Sequence, residues 1–246
     1  MKIKDIDIYA IDIPRSDTLK TSYGSNDTAT TILTIIKTDE GIDGYGQASV
    51  DAPFYGETAE SMVVNLKKHV KPNIIGLNPL NHTDVLRVIN QNLPFNNHTF
   101  TISAIDMALW DLKGKIMNTP LYNLLGGKIN EGIKLMGFVH HDTPSEMANH
   151  AKEIIKNKQY KVLKMKIGMD PSDDIKRYKA VIDAIDDDVC IQVDGNTGYT
   201  IDQALPTLKI MEDLGKLGAI EQPVYRNKDM STLARHLNTP IMADEA

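Results

Sequence analysis

Cysteine is almost missing from this sequence. The single thiol, Cys190 among 246 residues, excludes an internal disulfide, and its place in the apolar run DVCIQV predicts a buried thiol in a reducing compartment. Positive charge is also in short supply: 27 Lys and Arg face 33 Asp and Glu, for a net charge of -6, and the basic residues form no block. Nucleic acid and anionic membrane surfaces are therefore not expected partners. No apolar run approaches the ~18 to 20 residues of a membrane span. The opening MKIKDIDIYAIDIP alternates as a strand does and lacks the apolar centre of a signal peptide, so the expected location is the cytoplasm. Low-complexity tracts and long linkers are missing as well, which leaves a chain able to bury one large core or two smaller ones.

What is present divides into two parts. Residues 1–50 read as an antiparallel meander: KIKDIDIYAID, a polar connection LKTSYGSNDT, TTILTIIKT, the turn DEGIDG and YGQAS. ETAESMVVNLKKHV, PLNHTDVLRVINQNL and TISAIDMALWDLKGKIM then carry apolar residues at helical spacing, the last stopped by NTP. Trp110 and Met107 are read as core, and Lys67, Lys68 and Lys71 as a solvated helix face. This α+β unit is expected to cover residues 1–125, ending at the glycine break in LLGGK. The second expected domain, 126–246, alternates strand and helix, with strands KLMGFV, KVLKMKIG, VCIQVD, GAIEQP and TPIMADE. Repeated βα units with short apolar strands indicate a parallel sheet covered by helices. A doubly wound sheet and a (β/α)8 barrel both meet this pattern.

The strand ends separate them. In KVLKMKIG, strand alternation puts Lys164 and Lys166 on one face and Leu163, Met165 and Ile167 on the other. The following strands end in Asp194 with Asn196, Glu221 with Gln222, and Asp244 with Glu245, at intervals of 28, 27 and 23 residues from Lys166 onward, each about one βα unit. Parallel strands bring these ends together at one mouth, where barrel enzymes place their chemistry, whereas a doubly wound sheet does not gather four adjacent ends around one centre. Three carboxylates in one place repel unless a cation joins them. Oxygen ligands without cysteine or histidine favour Mg2+ or Mn2+ over Zn2+. Crowded, partly buried ammonium groups are expected to have a lowered pKa, toward the range of a base. No glycine-rich phosphate loop appears at these ends, which disfavours a phosphate-binding barrel of other chemistry.

Lys164-Met-Lys166, Asp194-Gly-Asn196, Glu221-Gln222-Pro223 and Asp244-Glu245, in this order and spacing, resemble the enolase superfamily, in particular the muconate-lactonising subgroup of the mandelate racemase/muconate lactonizing enzyme family. AIDMALWDLKGK with PLYNLLGG resembles the family's junction between cap and barrel. The resemblance implies an α+β capping domain followed by a TIM-type (β/α) barrel. It implies Asp194, Glu221 and Asp244 as ligands of Mg2+, Lys166 as the base that removes the proton α to a substrate carboxylate, and Lys164 as a modulator of its pKa and of charge. Asn196, Gln222 and Glu245 would support them. Thr18 to Thr28, with Tyr23, resembles the mobile loop that closes over substrate, and Asp51 to Gly56 its neighbour.

The family also places a second lysine on the sixth barrel strand, facing the other side of the substrate. This chain stops at Ala246, two residues past Asp244, so about five of the eight strands are expected in it. The expected activity is Mg2+-dependent α-proton abstraction through an enediolate. It would serve a racemase or epimerase of an amino-acid derivative, or a cycloisomerase or dehydratase; the alternative is a truncated, catalytically inactive fragment. A small-molecule carboxylate is the expected partner, and a homo-oligomer is left open.

Each residue also has a plainer reading. A Lys-x-Lys pair is usually a solvated strand edge. Asp194 and Asn196 could cap the next helix, and Asp244 and Glu245 sit at a chain end. His140 and His141, at the end of the first barrel strand, are read as solvated.

Overall fold

Period-two alternation builds the first sheet. The computed structural model describes residues 1–21, 24–50, 52, 56–93, 98–158 and 160–246. Strands β1 (Ile3–Thr21), β2 (Gly24–Thr38) and β3 (Asp43–Ser49) pair in that order, β2 and β3 antiparallel with Ile35 opposite Tyr45. The expected polar connection between β1 and β2 is corrected: the strands run on to Thr21 and from Gly24. Ladder hydrogen bonds use backbone groups, so a polar segment continues a strand as readily as an apolar one.

Helix α1 (Ala59–Val64), opened by a capping box between Thr58 and Ser61, continues through a π-helical stretch (Asn65–Val70) into α2 (Lys71–Ile74). Helices α3 (His82–Asn92), α4 (Thr99–Ile116) and α5 (Leu121–Leu124) follow. The Glu57 carboxylate closes the start of α4 by accepting the Phe100 N–H at 2.8 Å and the Thr101 N–H at 3.3 Å. The stripe Ala104, Ile105, Ala108, Leu109 and Leu112 is buried against Ile32, Ile36 and Ala48. Met107 lies off that stripe and is 49% exposed, which corrects its reading as core. The inward positions of β3 are Gly44, Gly46 and Ala48, and this smallness lets α4 lie on the strand. A Cβ on Gly46 would fall 2.0 Å from the Ala104 carbonyl oxygen, and one on Gly44 2.3 Å from that of Ala108.

In the second sheet, β4 (Gly137–Val139), β5 (Val162–Lys166), β6 (Cys190–Asp194), β7 (Leu217–Glu221) and β8 (Ile241–Met242) are parallel and lie side by side in chain order. Helices α6 (Pro144–Lys158), α7 (Pro171–Ile182), α8 (Ile201–Leu214) and α9 (Asn227–His236) connect them. A doubly wound sheet reverses its order at a switch point; this one advances one strand at a time, as a (β/α) barrel does. Two compact units result, Met1–Asp17 with Asp27–Glu131, and Gly132–Ala246 with Thr18–Asn26. Among the described residues no helix is long and apolar enough to cross a membrane.

Cys190 is free and only partly buried, a correction to the expected core thiol. It starts β6 at the sheet's end, with Sγ 3.7 Å from the Lys161 carbonyl oxygen.

Glu212 anchors the approach to β8. One oxygen accepts the N–H groups of Asn238 and Thr239 at 2.7 and 2.8 Å and the Thr239 hydroxyl at 2.9 Å, while Lys209 Nζ lies 2.8 Å from the other. The Lys209 bond, then the Thr239 and Asn238 donors, overcome burial and hold its carboxyl at about 2, against an ordinary 4.5. A carboxyl depressed on folding stabilises above its unfolded pKa, and that contribution fades as pH falls through the folded value. Glu212→Gln is expected to lower the thermal midpoint at pH 7 by roughly 3 to 6 °C, for about 1.5 kcal/mol lost at a charged acceptor. The gap to wild type should narrow between pH 4.5 and about 2 in thermal melts. A gap that stays constant over that window would exclude the ionised carboxylate as its source.

Candidate active site

Parallel register sorts the strand residues of the second sheet into rows. Phe138, Lys164, Gln192 and Ala219 pair across β4 to β7; Val139, Met165, Val193, Ile220 and Ile241 form the next row; Lys166, Asp194, Glu221 and Met242 form the third. The middle row joins the apolar core. Alternation sends the other two rows to the opposite face, and their polar groups meet there.

Both lysines converge on one oxygen. Lys164 Nζ is 2.9 Å and Lys166 Nζ 2.6 Å from Asp194 Oδ2, and Lys164 lies 2.6 Å from Glu221 Oε2. Lys166 also donates to Asn196 Oδ1 at 2.5 Å. Asp194 is fully buried, and Glu221 and Lys166 are 5% and 8% exposed. Burial of this many charges is tolerable only because each cation faces a carboxylate.

The expected lowering of a lysine pKa fails at Lys164. Burial is the largest single influence and pulls it down, but the hydrogen bonds and charges of Asp194 and Glu221 together outweigh it and hold Lys164 above the ordinary lysine value. Lys164 Nζ is therefore held between two carboxylates.

The loops at the strand ends are set by close backbone packing. A Cβ on Gly195 would fall 2.7 Å from Pro223 Cα, so the Asp-Gly-Asn turn needs its glycine. Asn196, Thr197 and Gln222 hold φ of 39°, 60° and 31°, a strained region for residues with a side chain. The Asn196 N–H donates to Asp194 Oδ1 at 3.0 Å and its Nδ2 to Glu245 Oε1 at 3.1 Å. Gln222, fully buried, accepts the Asp244 N–H at 2.9 Å and donates to the Val224 carbonyl at 3.0 Å.

The carboxylates differ in engagement. The Asp244 side chain is exposed. Glu245 is half-buried; burial, then the charges of Asp244 and Asp194, push its carboxyl up against the pull of the Asn196 hydrogen bond. Its Oε2 is buried with no hydrogen-bond partner. Tyr23 and Asp51 lie outside the described residues. His140 is exposed and stacks on the His150 ring at 5.1 Å, so it is a wet, ring-packed residue.

Two residues of this face escape a reading of strand ends alone. Gln192 Nε2 donates to Glu221 Oε2 at 2.5 Å, and the Phe138 ring lies 6.0 and 5.9 Å from the Lys164 and Lys166 ammonium groups. The signal for both was alternation: Gln192 stands two residues before Asp194, and Phe138 pairs with Lys164.

The donor set suits a hard divalent cation. Asp194 and Glu221 are buried neighbours in register, all their donor atoms are oxygen, and the orphaned Glu245 oxygen lies in the same group of loops. Among the described residues, no trio of His, Cys, Asp or Glu is already drawn into a metal cage. Lys164 and Lys166 engage the inner carboxylates instead.

The chain is similar to known proteins along its whole length. Residues 5–126 match the mandelate racemase / muconate lactonizing enzyme N-terminal domain, and residues 146–246 match the enolase C-terminal domain-like family. An N-succinyl-L-Arg/Lys racemase from Bacillus cereus is 35% identical over all of this chain and 66% of its own length. Its crystal structure superposes with a TM-score of 0.94 at 33% identity, again over 100% of this chain and 66% of that one. An L-Ala-D/L-Glu epimerase from Clostridium acetobutylicum is 31% identical over 100% of this chain and 68% of its own. A dipeptide epimerase from Enterococcus faecalis, crystallised with Mg and the dipeptide L-Leu-L-Tyr, has a TM-score of 0.92 at 32% identity, covering 100% and 68%. The chain thus spans about two thirds of the length of the curated relatives it matches.

Proposed function

The chain belongs to the mandelate racemase / muconate lactonizing enzyme family of the enolase superfamily, and we propose that within it the protein removes the proton α to a substrate carboxylate, in a racemase or epimerase of an amino-acid derivative. The observation that carries this reading is the third row: Lys166 beside Asp194, with Glu221 next in register and Asn196 on the lysine's other side. Relatives named as a racemase and as epimerases of amino-acid compounds favour that outcome over cycloisomerisation or dehydration.

Asp194, Glu221 and Asp244 would hold Mg2+, with the Gln222 side chain fixing the Asp244 backbone. A bound Mg2+ supplies positive charge beside the substrate carboxylate, which stabilises the enediolate charge as the proton leaves. Lys166 takes that proton at Nζ. Asn196 and Asp194 keep Nζ in place between proton transfers. Lys164 lies between Asp194 and Glu221 and adds positive charge beside them. Gln192 holds one Glu221 oxygen and so orients that carboxylate. The Phe138 ring covers one side of the ammonium pair.

Calorimetric titration with Mg2+ tests the ligand set without turnover. A single site is expected, weakened about tenfold or more by Glu221→Gln, since the loss of even a partner that only orients a ligand costs about 10- to 100-fold. Equal affinity in wild type and Glu221→Gln would remove Glu221 from the ligand set.

A further inference from the structure

Asp174 stands outside the rows that carry the chemistry. It lies in the first turn of α7, behind the N-cap Asp170 and Pro171, and its side chain is completely buried. Its Oδ2 accepts the backbone N–H groups of Gly168 and Met169 at 3.0 and 3.1 Å and the Tyr199 phenol at 2.6 Å; its Oδ1 accepts Arg177 Nη2 at 2.9 Å. Gly168 and Met169 follow Lys166 in the loop after β5, and Tyr199 follows Asn196 in the loop after β6. One carboxylate therefore ties together the two loops whose separation fixes the distances from Lys166 Nζ to Asp194 and Asn196.

The packing of those loops leaves little slack. Gly168 holds φ 99°, a Cβ there would fall 2.4 Å from the Gly195 carbonyl oxygen, and a Cβ on Gly198 would fall 2.2 Å from the Gly168 carbonyl oxygen. Gly168 and Gly198 thus approach each other through their backbones, so that a displacement of one loop is passed to the other. The Tyr199 N–H in turn donates to the Pro223 carbonyl at 3.1 Å, which extends the tie to the loop after Glu221. Burial, then the Asp174 charge, push the Tyr199 phenol far above its ordinary value, so it stays a donor.

We infer that Asp174 is a positioning residue, a buried clamp that sets Lys166 Nζ against Asp194 and Asn196 by holding the loop after β5 to the loop after β6. Arg177 neutralises the buried carboxylate, and Tyr199 transmits its position to the second loop. The effect on rate rests on the reaction proposed above; the effect on geometry does not.

Two variants separate these. Tyr199→Phe deletes one hydrogen bond of the clamp and keeps the ring, and Asp174→Asn keeps the shape while removing the charge. The Lys166 Cε–Hε signal is followed by NMR in 13C-lysine-labelled protein, assigned by its loss in Lys166→Arg, with exposed Lys128 as the internal reference. Both variants should move the Lys166 signal and leave that of Lys128. In the α-hydrogen exchange assay, kcat should fall about tenfold or more with KM within about twofold, the pattern of a displaced base rather than weakened binding. A stationary Lys166 signal in folded Tyr199→Phe overturns the clamp whatever the activity. A shifted signal with unchanged kcat overturns its part in the reaction. If wild type shows a Lys166 signal that moves in the variants but catalyses no exchange, the clamp stands and the proposed reaction fails. Should Asp174→Asn not fold, Tyr199→Phe decides alone.

Discussion

Lys166→Ala is expected to abolish the exchange of substrate α-hydrogen with D2O, a loss of about 10³-fold or more if Lys166 is the base. The loss should fall on the proton-transfer step. Lys166 contacts Asp194 and Asn196 but not Glu221, so Mg2+ affinity in the same variant should stay within a few-fold of wild type. Lys164→Ala should slow exchange less severely, since it removes a neighbouring positive charge and not the acceptor. It should disturb folding more, because Asp194 and Glu221 would then lose the ammonium that lies between them. Mass spectrometry of deuterium uptake at the α carbon of an amino-acid derivative reads the proposed reaction directly. Wash-in at the wild-type rate from the face that Lys166 serves, in Lys166→Ala, would assign the base elsewhere.

The largest structural effect is expected at Gly46. Gly46→Ala places a Cβ about where the Ala104 carbonyl oxygen lies, 2.0 Å from the ideal position, and neither strand nor helix backbone can yield as a side chain can. The Ala108 nitrogen at 2.6 Å blocks a sideways escape, and Thr34 already hydrogen-bonds the same Ala104 oxygen at 2.6 Å. Overpacking that moves a helix off a strand costs about 3 kcal/mol or more, a large share of a total stability of roughly 5 to 15 kcal/mol. Thermal melting should show a drop of roughly 10 °C or a chain that does not fold. Gly132→Ala, where an added Cβ meets nothing within 4 Å, is the matched control and should melt as wild type does. A small loss in Gly46→Ala would mean that α4 is less tightly seated on β3 than these distances require.

Much of the second sheet was legible in the sequence because the relevant physics is local. Alternation in KVLKMKIG separates Lys164 and Lys166 from Leu163, Met165 and Ile167, and the structure buries the apolar three in the core. Nearly equal intervals between Lys166, Asp194, Glu221 and Asp244 reflect one βα unit each, and register then aligns the first three. What escaped depends on contacts between elements. Two adjacent ammonium groups suggest a lowered lysine pKa, but which carboxylates reach Lys164 is a matter of strand pairing, and those carboxylates reverse the sign. Asp174 reads as an ordinary acidic residue of a helix start; only the fold brings Gly168 and Tyr199 to it. The β1–β2 segment reads as a connection because its residues are polar, whereas strand continuation depends on a neighbouring backbone.

The separation of rows in the second sheet has an evolutionary consequence. Val139, Met165, Val193 and Ile220 pack with the helices, while Phe138, Lys164, Gln192 and Ala219 occupy the intervening positions on the same strands. Exchanges at Phe138 or Ala219 can remodel the face that carries Lys164 and Gln192 without opening a cavity beneath the helices, and repacking at Val193 or Ile220 can proceed without touching a charge. The chemistry of one face and the thermal robustness of the other are then two nearly independent characters written on alternate letters of the same strands. A lineage carrying this sheet can drift in one while selection holds the other.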